Sequence, residues 1–264
     1  MRNLDINMIN KFTATAVENI PDIVNKDDLT EILLKALNES KIELKSHDIL
    51  VIAHKIFSKA EGQTIPLKQV IPSKKAREYA QKLNKDPRKV TVILNESKRV
   101  LRAFKRSDQK EGVMICEHKL GFISANAGVD ESNNEVPDSV VILPKNPDDS
   151  AKKLYKKIYK KLGVKVGIVI TDTFGRPWRL GQVNVAIGIA GIPATIKEIG
   201  NHDAWGHELR VTEPAFADEL AAASGLLMKK AAKTPLIFIR GLKWEFKNSK
   251  TSDIIRKKEE DMFR

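Results

Sequence analysis

The 264-residue sequence holds a single cysteine, Cys116. One thiol forms neither an intrachain disulfide nor a thiolate metal cluster, so a reducing cytoplasm is the expected setting. No apolar run approaches the roughly 20 residues of a membrane helix, which argues against a membrane protein. The N-terminus, Met1-Arg2-Asn3-Leu4-Asp5, also lacks the charged-then-apolar layout of a signal peptide. There is no G-x-x-x-x-G-K-S/T loop, which excludes a P-loop nucleotidase, and no G-x-G-x-x-G, which argues against a Rossmann site. Without a G-x-S-x-G elbow, acyl-enzyme chemistry has no support. His47, His54, His118, His202 and His207 form no H-E-x-x-H or other familiar zinc spacing.

What is present is a globular composition, 42% hydrophobic and 30% charged, in a chain long enough for one large domain or two small ones. We expect a single domain over 1–264. The net charge of +12, from 46 basic and 34 acidic residues, invites a nucleic-acid reading. Much of that excess is local. Lys152, Lys153, Lys156, Lys157, Lys160 and Lys161 alternate with Leu154, Ile158 and Leu162 at helical spacing, with Asp148 and Asp149 ahead of them. This pattern reads as a solvated helix face over an apolar stripe, so nucleic acid is not the expected partner. A basic surface attracts anionic small molecules equally well.

Apolar periodicity predicts helices over 27–40, 73–83, 88–101 and 215–230, with a further charged helix from 249 onward. Strands are predicted over 48–53, 166–170 and 236–239, and a hairpin over 113–117 and 120–124. Crossover and hairpin signals mix, so the expected class is α+β: a mixed β-sheet with flanking helices.

The chemistry concentrates where strands end. The stretch Ile170-Thr171-Asp172-Thr173-Phe174-Gly175-Arg176-Pro177-Trp178-Arg179 puts a carboxylate between two hydroxyls after a buried apolar run. Asp130 follows the hairpin in a loop with Ala127, Gly128, Ser132 and Asn133. Hard oxygens suit Mg²⁺ or Mn²⁺, and converging carboxylates can hold two such ions roughly 3.5–4 Å apart across phosphate oxygens. For either aspartate alone, a capping or turn role is the alternative. Lys59, Arg176 and Arg179 are placed to reach phosphate, although a solvated side chain is the ordinary explanation for Lys59. Trp178 and Trp205 could stack on a planar ligand, and the polar 201–209 segment could line a pocket or form a surface turn.

Several ordered motifs then carry a resemblance. Ser58-Lys59-Ala60-Glu61-Gly62, Ala125-Asn126-Ala127-Gly128-Val129-Asp130 with Ser132-Asn133, and the Asp172 stretch resemble the coenzyme F420-0:L-glutamate ligase family. So do Val185-Ala186-Ile187-Gly188-Ile189-Ala190-Gly191, Val211-Thr212, Ala217-Asp218-Glu219-Leu220-Ala221-Ala222 and Ile239-Arg240-Gly241. The resemblance runs from about Ile20 to about Phe263 and implies a family-specific ligase fold, without the nitroreductase-like extension some relatives carry. It implies a homodimer that uses GTP to phosphorylate the lactyl carboxylate of F420-0. The amine of L-glutamate then attacks the acyl phosphate, and a second turnover on F420-1 lengthens the γ-linked tail.

Carried over, the resemblance makes Asp130, Asp172 and Thr173 ligands of two divalent cations, Mn²⁺ or Mg²⁺, with a monovalent cation such as K⁺ a further candidate. Asp130, Asp172 and Lys59 are the implied catalytic set. Ile20, Pro21, Asp22, Ile23, His54, Lys55, Lys59 and Asn133 match nucleotide-contacting positions, as does the segment Met228-Lys229-Lys230-Ala231-Ala232-Lys233-Thr234. That last segment departs from the family pattern, which reads Met-Gly-Gln or Met-Gly-Glu before a glycine-containing acidic loop. An ammonium cannot ligate a cation, so another oxygen replaces that ligand or Lys230 itself neutralises phosphate. Two other readings stand beside this one: a paralogous amide-forming ligase acting on another carboxylate, and a basic nucleic-acid-binding protein.

Overall fold

A computed structural model of the chain describes residues 11–261; the N-terminal segment read above lies outside them. In chain order the strands are β1 (Thr13–Val17), β2 (Ile49–Ala53), β3 (Thr64–Pro66), β4 (Ser97–Phe104), β5 (Val113–His118), β6 (Ile123–Ala125), β7 (Ser139–Val141), β8 (Gly167–Arg176), β9 (Arg179–Ala190) and β10 (Leu236–Arg240). The α-helices are α1 (Leu29–Glu39), α2 (His54–Ala60), α3 (Lys74–Leu83), α4 (Pro87–Glu96), α5 (Pro147–Leu162) and α6 (Phe216–Gly225).

The main sheet has the order β1-β10-β2-β8-β9, in which β2 and β8 are parallel and the other neighbours antiparallel. Its central strands are apolar at nearly every position because both faces are covered. Leu50, Ile52, Ile168 and Ile170 pack with Leu33 and Leu37 of α1 and Leu154 and Ile158 of α5. The alternate residues Ile49, Val51, Val169, Ile237 and Ile239 pack with Ala217, Leu220 and Ala221 of α6. At Gly188, a Cβ would stand 2.6 Å from the backbone of Pro147, so the missing side chain lets α5 approach β9. A second layer, the sheet β4-β5-β6 with α3 and α4, closes over Leu83, Val90, Ile93, Met114 and Cys116. The fold is therefore α+β with a mixed sheet, as expected. The six lysines of α5 are exposed, and Lys157 and Lys161 pair with Asp28 and Glu31 of the α1 region.

Five expected elements differ. The second strand of the hairpin starts at Ile123 and not at Leu120, because 119–121 form the turn, where the Gly121 amide donates to His118 O. The helix predicted over 88–101 ends at Glu96, and Ser97–Phe104 instead forms β4. There Val100 pairs with Cys116, and Arg99 meets Glu117 at 2.7 Å, so the available edge of β5 decides the conformation. The helix predicted over 215–230 stops at Gly225. Among the described residues, the tail after 249 forms only single 3₁₀ turns, Thr251–Asp253 and Lys258–Glu260. Thr251 there is tied to Asp148 through its amide and hydroxyl, at 3.1 and 3.0 Å. Finally, the strand predicted over 166–170 continues to Arg176 and pairs with β9 throughout.

Candidate functional site

The parallel pair β2–β8 ends at one side of the sheet, and a cleft of about 550 Å³ opens there. Its walls come from 20–23, the first turn of α2, the 124–135 segment, 171–175 of β8 and 228–235. Crevices at the carboxyl ends of parallel strands are common ligand sites, because neighbouring connections diverge there.

The short helix α2 wedges between the two aspartates. His54 is 3% exposed; its Nε2 lies 3.3 Å from Asp172 Oδ1 and its Nδ1 3.2 Å from Ser58 Oγ. The ring thus bridges the Asp172 carboxylate on its Nε2 side and the Ser58 hydroxyl on its Nδ1 side. The next residue, Lys55, donates to Asp130 Oδ2 at 2.7 Å, to Ser132 Oγ at 2.7 Å and to Ser132 O at 2.8 Å. Asp130 also accepts from the Ser132 amide at 2.8 Å, and its own backbone is held to Val141 of β7. Burial on its own would raise the Asp130 carboxyl, but Lys55 and Ser132 outweigh that cost and hold it down to about 2. One helical turn on, Lys59 lies 3.4 Å from Glu135.

The wall before Asp130 is strained. Asn126, Ala127 and Gly128 follow one another with φ of 50°, 51° and 68°. Three consecutive left-handed residues, one of them alanine, persist only where the surroundings over-determine them. Asn126 Oδ1 accepts from the Met114 amide at 3.2 Å, and a Cβ on Gly128 would press on Leu143. The strained turn delivers Asp130 to the cleft.

On the opposite wall the pairing of β8 with β9 shifts register between Ile170 and Thr171. The extra residue is Ile187, on β9, so β8 runs on unbroken. Thr171, Asp172 and Thr173 all line the cleft, with Thr171 the most buried of the three. The Thr173 hydroxyl donates to Asn184 Oδ1 at 2.9 Å, and the Thr173 amide to Asp172 Oδ1 at 2.7 Å.

The cleft thus gathers Ile20, Pro21, Asp22, Ile23, His54, Lys55, Lys59, Asp130, Asn133, Asp172, Thr173, Met228, Lys229, Lys230, Lys233 and Thr234. Of the nucleotide-contacting positions expected from sequence, Ala231 and Ala232 do not line it, since the turn after α6 carries them away. Arg176 and Arg179 are also misplaced by the expectation. Because β8 does not end at Ile170, they sit at the exposed tip of the β8–β9 hairpin, where Arg176 donates to Leu180 O at 2.8 Å. Trp178 and Trp205 are 81% and 87% exposed and line no part of the cleft. The 201–209 segment is a surface turn, with Asp203 accepting from the amides of Trp205 and His207. Sequence reading missed Ser58, Glu135 and Asn184. Asn184 alone carried a signal, as a polar residue inside the apolar run Val183-Asn184-Val185.

Oxygen donors not already engaged by a lysine face a hard cation on one wall only. Asp172, Thr173 and Asn184 offer oxygens there. Among the described residues no three of His, Cys, Asp and Glu converge to hold a metal unaided, so phosphate oxygens or water would complete its shell. At Asp130 an ammonium already fills the equivalent position.

Behind the cleft His118 stacks on Phe122 at 4.9 Å, and Phe122 meets Phe174 at 5.1 Å. Its Nδ1 accepts from the Leu120 amide, leaving Nε2 buried without a hydrogen-bond partner. Glu96, at 3.7 Å, is too far to supply one. Burial, reinforced by Lys119, pushes the imidazole down to about 4. A base with a lowered folded pKa binds fewer protons folded than unfolded between that value and its ordinary 6.5. Stability therefore rises with pH across this window and is lost as pH falls through it, by about 3 kcal/mol in all. Urea unfolding from pH 7 to 4 is expected to show that loss, and His118→Asn, which keeps an acceptor for Leu120, to flatten it. An unchanged slope in the variant would remove His118 as its source.

Residues 18–241 match the family described as F420-0:Gamma-glutamyl ligase. The chain is 46% identical to the coenzyme F420:L-glutamate ligase of Methanocaldococcus jannaschii over 222 residues, 84% of this chain and 86% of that protein. It is 39% identical to the protein of that name from Methanothermobacter thermautotrophicus over 252 residues, 94% and 97% of the two chains. The Methanopyrus kandleri protein of the same name is 42% identical over 243 residues, 90% and 92% of the two.

Proposed function

The chain belongs to the F420-0:gamma-glutamyl ligase family, and we propose that it joins L-glutamate to coenzyme F420-0 at the expense of GTP. The observation that carries this reading is the meeting of Asp130, Asp172 and a set of lysines in one cleft at the carboxyl ends of β2 and β8. In the proposed reaction a lactyl carboxylate oxygen attacks the γ-phosphorus, and the bond to the GDP oxygen breaks. The glutamate nitrogen then attacks the acyl carbon. Phosphate leaves with the former carboxylate oxygen, and the ammonium protons pass to solvent.

Phosphoryl transfer of this kind depends mainly on positioning and on neutralising charge. Lys59, Lys229, Lys230 and Lys233 line the cleft and supply positive charge for a triphosphate. Ile20, Pro21 and Ile23 offer apolar contact to a base. His54 fixes the Asp172 carboxylate, and Asn133 pins the 228–235 segment by donating to Lys230 O at 3.2 Å. A divalent ion at Asp172 would withdraw charge from the transferring phosphoryl oxygens. The exposed Trp178 and Leu180 of the β8–β9 hairpin support assembly as a homodimer. Among the described residues no helix is long and apolar enough to cross a membrane.

Incubation with F420-0, glutamate, GTP and Mn²⁺, read by mass spectrometry, is expected to add one or two glutamates to the coenzyme. Addition should fail without GTP. Unmodified F420-0 with intact, nucleotide-binding protein would refute the substrate.

A further inference from the structure

The two aspartates of the cleft are not equivalent. The Lys55 ammonium contacts a carboxylate oxygen, a carbonyl oxygen and a hydroxyl oxygen at 2.7, 2.8 and 2.7 Å. That is the donor set a small hard cation selects. An ammonium has three N–H donors, and these three oxygens engage all of them. The carboxylate is as fully engaged. Asp130 Oδ1 accepts from the Ser132 amide at 2.8 Å, and Oδ2 accepts from the Ser132 hydroxyl at 2.9 Å as well as from Lys55. The lysine side chain is only 17% exposed, so its charge is little screened by water.

Asp172 differs in each respect. Its near neighbour from α2 is the imidazole of His54, and both of its contacts go to Oδ1. Its Oδ2 accepts no hydrogen bond among the described residues, and Thr173 and Asn184, whose side chains bond each other, line the same cleft. Successive residues of one helix project about 100° apart, which is how His54 and Lys55 serve different carboxylates.

Resting on the ligase reading above, we propose that Lys55 is the resident cation at Asp130, and that the cleft loaded with nucleotide holds one divalent ion, at Asp172, and not two. A second divalent ion at Asp130 would have to displace the ammonium or lie against it, where like charges repel. The chain thus supplies from α2 a charge that a second metal would otherwise bring. Lys55 organises the Asp130 wall and gives that wall no metal dependence.

The test counts ions, independently of turnover. Mn²⁺ is titrated into the full chain saturated with a non-hydrolysable GTP analogue, and free Mn²⁺ is read by electron paramagnetic resonance. The wild type is expected to bind one ion per chain. Lys55→Met, which keeps the stem and removes the charge, is expected to bind two, and Lys55→Met/Asp130→Asn to return to one. Two ions in the wild type overturn the proposal alone and leave the ligase reading standing. One ion in Lys55→Met also overturns it, because the ammonium would then not be what keeps an ion from Asp130. No ion in the wild type overturns both the proposal and the nucleotide–metal reading beneath it. The wild-type count decides by itself should the variant fail to fold.

Discussion

Asp172→Asn is expected to lower glutamate addition by roughly 10²–10³-fold, the range seen when a preorganised group that stabilises transition-state charge is removed. Asparagine keeps the shape and an oxygen to accept from the Thr173 amide, which lies 2.7 Å from Oδ1 in the parent chain. What it loses is the charge facing the cleft. The side chain is only partly buried, and none of the apolar core depends on it, so the thermal midpoint should stay within about 2 °C of wild type. Steady-state rates measured beside a melting curve separate the two effects. A variant that melts normally and retains full activity would remove Asp172 from the reaction.

Asp48→Ala should do the opposite: destabilise the protein without touching the cleft. Asp48 is 2% exposed and stands at the entry to β2. It accepts from the Lys45 amide at 2.6 Å and from Arg240 Nε and Nη2 at 2.7 and 2.6 Å, which fastens the start of β2 to the end of β10. The same fork holds the Arg240 guanidinium above its ordinary range. Arg240 remains 38% exposed and keeps a bond to Glu43 O, so it is not stranded when its partner goes. The expected loss is therefore near the lower end for a broken buried pair, about 3 kcal/mol. Urea unfolding measures it. A loss below about 1 kcal/mol would show that the strand pairing needs no such clamp.

Much of the frame was legible in sequence, for physical reasons that differ by element. β2 and β10 could be read from their unbroken apolar runs, since a strand covered on both faces has no polar side to reveal. α1 and α3 were legible from their apolar periodicity, and the structure adds their N-caps: Asp28 accepts from the Thr30 amide and Ser73 from that of Ala76. The β4 segment did not, because the apolar spacing of 88–101 satisfies a helix and only the edge of β5, supplied later in the chain, turns Ser97–Phe104 into a strand. β8 was cut short for a related reason. Its burial ends near Thr171, whereas its hydrogen bonding to β9 continues to Arg176. That error misplaced Arg176 and Arg179.

The cleft shows the same division. Asp130 and Asp172 stood out by their strand-end positions, and the motif resemblance picked out most other residues that meet there. What could not be read was how they meet. Lys55 and Asp130 are 75 residues apart, and nothing local to either residue points to the other. The His54–Ser58 contact spans one helical turn, yet it matters only because α2 brings Asp172 to the other side of the ring.

The central claim, that the cleft activates the lactyl carboxylate by phosphorylation, is tested most directly by following an oxygen atom. F420-0 is labelled with heavy oxygen in that carboxylate, and the released phosphate is read by phosphorus NMR after one round of glutamate addition. Transfer of one labelled oxygen to phosphate is predicted, because the acyl phosphate delivers that atom to the leaving group. Glutamate addition with unlabelled phosphate would contradict the account.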